Sequence, residues 1–206
     1  MTPDKIDRRT ERTRQALLAA FRELVLDHPY DALTVGDVIA RANVGRSTFY
    51  DHYDGKDALL AESVAAPFST LAAAVGAAEM PDSLVGMIAH FRENHRISRA
   101  LLTGPTRPVL TRCLAGLIEA RLADLARKTP GPPPLVPDGM AAQHLAAGQL
   151  ALIETWLTTQ HACRPDAVAE ALFASTNAAV SALYRRNAVT PSSAAPADAL
   201  RAGSPD

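Results

Sequence analysis

Aromatic residues and cysteines are scarce in this chain, positive and negative charges nearly cancel, and no apolar run is long. Each shortage excludes a class of protein. The two cysteines, Cys113 and Cys163, lie far apart and form no CxxC pair. Disulfide scaffolds and cysteine-ligated metals need more thiols at closer spacing, so reduced thiols packed as small apolar side chains are expected. His161-x-Cys163 lacks the ligand count of a metal site, and neither a metal nor a cofactor is expected. The longest uncharged stretch, Ser63 to Ala78, is alanine-rich and interrupted by Pro67 and Gly76, which falls short of a membrane span. The first apolar run, Ala16 to Phe21, is short and bracketed by charges, unlike a secretory signal. A cytoplasmic protein that makes no membrane contact is the expectation. Nothing resembles a catalytic triad, a phosphate-binding loop or paired carboxylates in a cleft, so no enzymatic activity is expected.

What the chain has is length, apolar content and helical periodicity. With 206 residues, 48% of them apolar, it can bury a substantial core without metal or disulfide. The net charge of -1 and pI near 6.6 hide a local imbalance. Lys5, Arg8, Arg9, Arg12, Arg14 and Arg22 face only Asp4, Asp7 and Glu11 near the N-terminus, a cluster suited to phosphate or minor-groove contact.

The most informative stretch runs from Leu33 to Leu59. Thr34 and Asp37 stand at the two positions of a capping box, and Leu33 and Val38 at those of a hydrophobic staple, which predicts a helix starting at Thr34. Val35, Val38, Ile39 and Ala42 keep one stripe apolar, while Asp37 and Arg41 point outward. Asn43 tolerates the left-handed conformation that ends a helix sharply, so Ala42 to Gly45 reads as a tight turn. A second short helix then offers Arg46, Ser47, Thr48 and Tyr50 on a polar surface, with Phe49 and Tyr53 as buried anchors. Arg46 suits a fork onto a guanine edge, Ser47 and Thr48 suit bases or phosphates, and Tyr50, His52 and Lys56 suit the sugar-phosphate backbone. Asp54 is expected to cap the next helix, with Asp57 at its third position.

These residues resemble the TetR family of bacterial transcriptional regulators. The match rests on Thr34-Val35, Ile39-Ala40, Ala42, Val44, Thr48-Phe49-Tyr50, His52-Tyr53, Lys56 and Leu59-Leu60, preceded by Arg14, Leu17, Ala20 and Phe21. It covers the first quarter to third of the chain. Asn43 stands where the family commonly has Gly, Gly45 where it has Ser, and Asp51 and Asp54 place negative charge beside the second helix. The resemblance implies a homodimeric, ligand-responsive repressor that reads a palindromic double-stranded DNA operator through Thr34, Arg46, Ser47, Thr48, Tyr50, His52 and Lys56. The rival reading, supported by Asp51 and Asp54, is a helical small-molecule-binding or protein-interaction module that has lost DNA binding.

The remainder reads as helices throughout. The expected organisation is all-α. Residues 1–54 form a three-helix helix-turn-helix DNA-binding domain with a basic arm over residues 1 to 7. Residues 55–188 form a helical ligand-binding and dimerisation domain, and 189–206 a disordered tail. A long helix from near Gly55 is expected to kink or end at Pro67. Another is expected after Pro81, then a short apolar turn from Ile97 to Leu102, then a helix from about Pro108 to Lys128. Thr129 to Gly139 reads as a surface loop, followed by helices from Asp138 to about Ala162 and from Pro165 to about Arg186.

The helices around Leu84 and Leu114 are expected to wall a pocket, with Met87, His90, Phe91, Asn94, Leu114 and Ile118 as candidate ligand contacts. Of ten aromatics, six from Phe21 to Phe68 belong to or border the DNA-binding domain, which leaves Phe91, Trp156, Phe173 and Tyr184, too few for an aromatic cage, so a small apolar effector, or none at all, is favoured. The last two helices carry faces of small residues, which suit ordinary core packing or close helix approach; the TetR resemblance implies that these helices form the dimer interface, with Gly148, Ala151, Leu152, Thr155, Ala171, Ser175 and Ala178 on it.

Overall fold

The computed structural model describes residues 3–128, 133–159 and 163–184, with side chains from Arg8 onward. Among these residues there is no strand, and no helix is long and apolar enough to cross a membrane. The proposed tail at 189–206, and the ends expected at Ala162 and Arg186, lie outside the described residues.

Helix α1 (Pro3–Asp27) is helical already within the stretch expected to be an arm. It buries Leu17, Phe21, Leu24 and Val25, the i, i+4, i+7, i+8 stripe that a core-facing helix needs. Helix α2 (Val35–Ala42) begins with the expected capping box. The Asp37 amide donates to Thr34 Oγ1 at 3.2 Å, and the Thr34 amide donates to Asp37 Oδ2 at 2.8 Å. It ends at Asn43, whose φ of 53° and ψ of 48° put it in the left-handed region. Helix α3 (Arg46–Tyr50) starts from Gly45 without a side-chain cap. Phe49, with no exposed surface, and Tyr53 root it in the core.

The expected long helix is two. Helix α4 (Lys56–Ser63) ends at Val64, and α5 (Ala65–Ala73) follows at once. Pro67 has no amide to donate to the Ser63 carbonyl four residues back, and its ring crowds that carbonyl, so the break falls one turn before the proline. Asp54 does not cap α4 either; Gly55 holds the N-cap position and no side chain bonds there.

Helix α6 (Asp82–Glu93) buries Leu84, Met87, Ile88 and Phe91. Residues expected to form an apolar turn instead make α7 (His95–Leu102), because Ser98, Leu101 and Leu102 share one buried face while Arg96 and Arg99 take the other. A single 3-10 turn at Gly104–Thr106 leads into α8 (Arg107–Lys128). Helices α9 (Asp138–Thr158) and α10 (Pro165–Leu183) complete the bundle. The Leu135 amide donates to the Leu183 carbonyl at 2.8 Å and the Tyr184 hydroxyl to Asp138 at 2.6 Å, which fastens the segment before α9 to the end of α10.

The core is continuous from Leu17 through Phe49 and Leu59 to Leu110, Ile118, Ile153 and Leu172. Helix α1 packs on α2, α4 and α7, and α8 packs on α4, α5 and α9, so α1 and α4 join the N-terminal helices to the larger bundle. In the turn after α5, Gly76 takes a φ of 66°, and its amide donates to Asn177 Oδ1 at 2.7 Å while Asn177 Nδ2 reaches the Ala74 carbonyl at 3.0 Å.

Candidate functional site

Two places bring together the chemistry expected from the sequence. The first is the outer surface of α3. Arg46, Ser47 and Tyr50 are exposed and Thr48 and His52 are half-buried, while Phe49 and Tyr53 anchor the helix from beneath. Burying one large apolar side chain contributes about 1.5–3 kcal/mol, so the phenylalanine alone outweighs the missing cap at Gly45. The Arg46 guanidinium lies over the Tyr50 ring, 5.9 Å from its centroid, a cation–π contact on the exposed face. Beside this face, Arg8, Arg9 and Arg12 of α1 line a shallow concavity with Thr13, Ala16 and Val44, the last a residue of the turn into α3. Cationic side chains from one helix therefore flank the entrance to another.

Not every basic residue of the N-terminal cluster joins them. Arg14 pairs with Glu11 at 2.8 Å and with Glu62 of α4, and the hydrogen bonds of Arg14 and Gln15 hold the Glu11 carboxyl down at about 2. Arg22 lies further along α1, at a cavity described below.

Lys56 occupies an unexpected position. Its ammonium donates to the Tyr30 carbonyl at 2.8 Å, to the Leu33 carbonyl at 2.8 Å and to the Asp31 carbonyl at 3.4 Å, and lies 4.6 Å from the Tyr30 ring centroid. A lysine ammonium has only three N–H donors, and all three are directed at the loop between α1 and α2. Neighbouring Asp57 accepts a hydrogen bond from the Tyr30 hydroxyl. Burial, aided by that carboxylate, pushes the Tyr30 phenol well above its ordinary range. Thr34 is likewise engaged, its hydroxyl donating to Asp37 Oδ2 at 2.7 Å.

The second place is a cavity of about 250 Å³ enclosed by α1, the junction of α4 and α5, α6, α7 and the start of α8. Of the residues expected to meet a ligand, His90, Phe91 and Asn94 line it. Met87, Leu114 and Ile118 do not; they are buried in the helix core, at most 8% exposed, facing neighbouring helices rather than the hollow. Helix α7, where the sequence suggests only a short turn, contributes Ile97, Ser98, Leu101 and Leu102, which are not among the candidate ligand contacts visible in the sequence. Nor are Arg22, Val64, Pro67 and Phe68, which only the break at Val64 and the packing of α1 on α7 bring round the cavity.

The small-residue faces of the last two helices stand outside the core. Gly148, Ala151 and Thr155 of α9 and Ala171, Ser175 and Ala178 of α10 are exposed, and Leu152 is half-buried. Ala146, by contrast, is fully buried within the bundle. A shallow groove of about 180 Å³ between α9 and α10 is lined by His144, Gly148, Leu152 and Ser175 among others. Cys113 is half-buried and Cys163 exposed, and both are free thiols. Among the described residues no group of His, Cys, Asp or Glu could hold a metal ion.

Similar proteins fall where this geometry points. The family model for bacterial regulatory proteins of the tetR family matches residues 17–63, from the middle of α1 through the end of α4. An uncharacterized HTH-type transcriptional regulator, YxbF of Bacillus subtilis, is 44% identical over 57 residues, a match spanning 27% of this chain and 15% of that protein. Over a longer span, a TetR transcriptional regulator from Streptococcus agalactiae superposes with a TM-score of 0.58 at 26% identity, covering 85% of this chain and 99% of that one. A TetR-family chain from Syntrophomonas wolfei shares the fold with a TM-score of 0.52 at 15% identity, covering 87% and 98% of the two chains. The sequence match to the tetR family lies on the helix-turn-helix, residues 17–63, and the fold match to a TetR regulator runs on through the larger bundle.

Proposed function

We propose that the protein is a homodimeric, ligand-responsive transcriptional repressor that binds a palindromic operator by placing α3 in the major groove. The observation that carries this reading is the division of α3 into two faces, Arg46, Ser47 and Tyr50 outward and Phe49 inward, flanked by the α1 arginines. A buried aromatic fixes the helix while the polar side chains stay free for base edges and phosphates, the partition that groove reading requires. In this reading Arg46 reads a guanine, Ser47 and Thr48 meet bases or phosphates, Tyr50 and His52 hold the backbone, and Thr34 and Lys56 position the elements around them.

The proposed division places the DNA-binding domain at 1–54 and the effector and dimerisation domain at 55–188, with α4 as the connection. Lys56 and Asp57 tie the start of α4 to the loop before α2, so the head follows α4 as it moves. A ligand in the cavity bears on the α4–α5 break through Val64 and Pro67, and a small rotation there changes the spacing of two recognition helices in a dimer. The exposed small-residue faces of α9 and α10 supply the proposed dimer seam, since small side chains allow close helix approach across a two-fold axis.

The experiment is selection of genomic DNA fragments by the purified protein at moderate salt, with the recovered motif examined for symmetry. A palindrome whose affinity falls steeply with salt is the expected result, because phosphate contacts release counterions. No enrichment over background by the ligand-free protein would sink the operator reading and leave the cavity and small-residue faces as the functional core.

A further inference from the structure

The polar groups around the cavity are not evenly committed. Ser63 Oγ donates to the Leu60 carbonyl at 2.7 Å, and Asn94 Nδ2 is spent on His90, 3.0 Å from its carbonyl and 3.1 Å from its ring nitrogen. Two lining donors remain without a partner among the described residues: the guanidinium of Arg22, an exposed side chain at the cavity mouth, and the hydroxyl of the buried Ser98. The first is a fixed cation with planar, forked donors, and the second is a donor on a residue only 6% exposed. No aspartate or glutamate lines the cavity. Below these groups the wall is apolar, formed by Phe68, Phe91, Leu101, Leu102 and Leu110.

We infer that the cavity binds a monocarboxylate with a compact apolar body, its carboxylate held by Arg22 and Ser98 and its body against the phenylalanines and leucines. The inference rests on the reading of this cavity as the effector site and gives that effector a charge. A cationic ligand would meet Arg22 with no lining carboxylate to offset it. A neutral apolar molecule would leave the forked donors unused, whereas a carboxylate matches them in charge and in plane. Size agrees: about 150 Å³ is enough for benzene in an apolar protein cavity, so 250 Å³ accommodates a ring or short chain together with its acid group. Helix α1 thereby gains a part in sensing. Arg22 belongs to the same helix as the arginines beside α3, so the acid group joins that helix directly to α7.

The test measures binding of 3-phenylpropionate and of its uncharged amide to the full-length protein by calorimetry, with Arg22→Met and Arg22→Lys variants alongside. The wild-type protein is expected to bind the acid roughly tenfold or more tightly than the amide, the gain of a charge-assisted hydrogen bond. Arg22→Met should bring the two within about twofold while leaving amide affinity unchanged, and Arg22→Lys should keep a clear preference for the acid. Equal affinities in the wild type, a preference that survives Arg22→Met, or no binding of either compound would overturn the inference. Repeating the titration on operator-bound protein separates it from the regulatory reading: acid binding without DNA release upholds the anion site and removes only the effector role.

Discussion

The Lys56 ammonium and the Leu33 carbonyl lie 2.8 Å apart, joining the first turn of α4 to the residue just before the α2 capping box. A residue whose type and place suit a phosphate contact is instead an internal clamp. Its three carbonyl partners, on Tyr30, Asp31 and Leu33, sit in the α1–α2 loop, outside the hydrogen-bond ladders of both helices. Lys56→Met is therefore expected to destabilise the fold by about 1 to 3 kcal/mol, read from urea unfolding. Operator binding by this variant, measured where it remains folded, should keep the wild-type salt slope. A slope shallower by about 1.8, one phosphate for each protomer of the dimer, would mean that Lys56 meets a phosphate after all.

The Arg46 guanidinium lies over the Tyr50 ring, with both side chains exposed. If the arginine forks onto a guanine, Arg46→Ala should cost about 1 to 3 kcal/mol of discrimination at one base pair in each half-site. Affinity for unrelated DNA should fall much less. Repeating the fragment selection with the variant checks this, and an unaltered motif would take Arg46 out of the reading set.

Thr34 and Asp37 cap one another, and the Thr34 hydroxyl and amide hold the Asp37 carboxyl below its ordinary value of 3.8. Thr34→Ala should lose about 1 kcal/mol of stability. The sign of the pH dependence follows from the depressed folded-state value. Asp37 stabilises the fold above the unfolded carboxyl's range, and that contribution is lost as pH falls through the lower folded-state value. Thermal melts of wild type and Asp37→Asn should therefore differ at pH 7 and draw together in acid, whereas a constant gap would deny the carboxylate this role.

Gly148 is exposed on α9, and a Cβ placed there meets no atom within 4 Å. The isolated protomer should accept a side chain at this position and even gain helix propensity, on the order of 0.5–1 kcal/mol. A charge on a close-packed dimer seam cannot be accommodated in the same way. Gly148→Glu is expected to yield a folded monomer by sedimentation and circular dichroism. A variant that stays dimeric would move the interface off this face.

Local chemistry alone determined the helix-turn-helix. The Thr34–Asp37 box, the left-handed turn at Asn43, and the anchors Phe49 and Tyr53 all act within a few residues, and each lies in the fold where its spacing puts it. The same holds for the helix starts at Asp82, behind Pro81, and at Pro165, with Asp166 in its first turn. Tertiary packing decided the rest. Ile97 to Leu102 is too short and too mixed to declare a helix, and becomes one because Ser98, Leu101 and Leu102 find a buried face between α1 and α9. The membership of the cavity depended on the break at Val64 and on which turn of α1 meets α7, distances that no periodicity encodes. Lys56 shows the same division: its charge was visible in the chain, but only the fold brought three backbone carbonyls round it, and proximity of groups some 25 residues apart is a property of packing rather than of sequence.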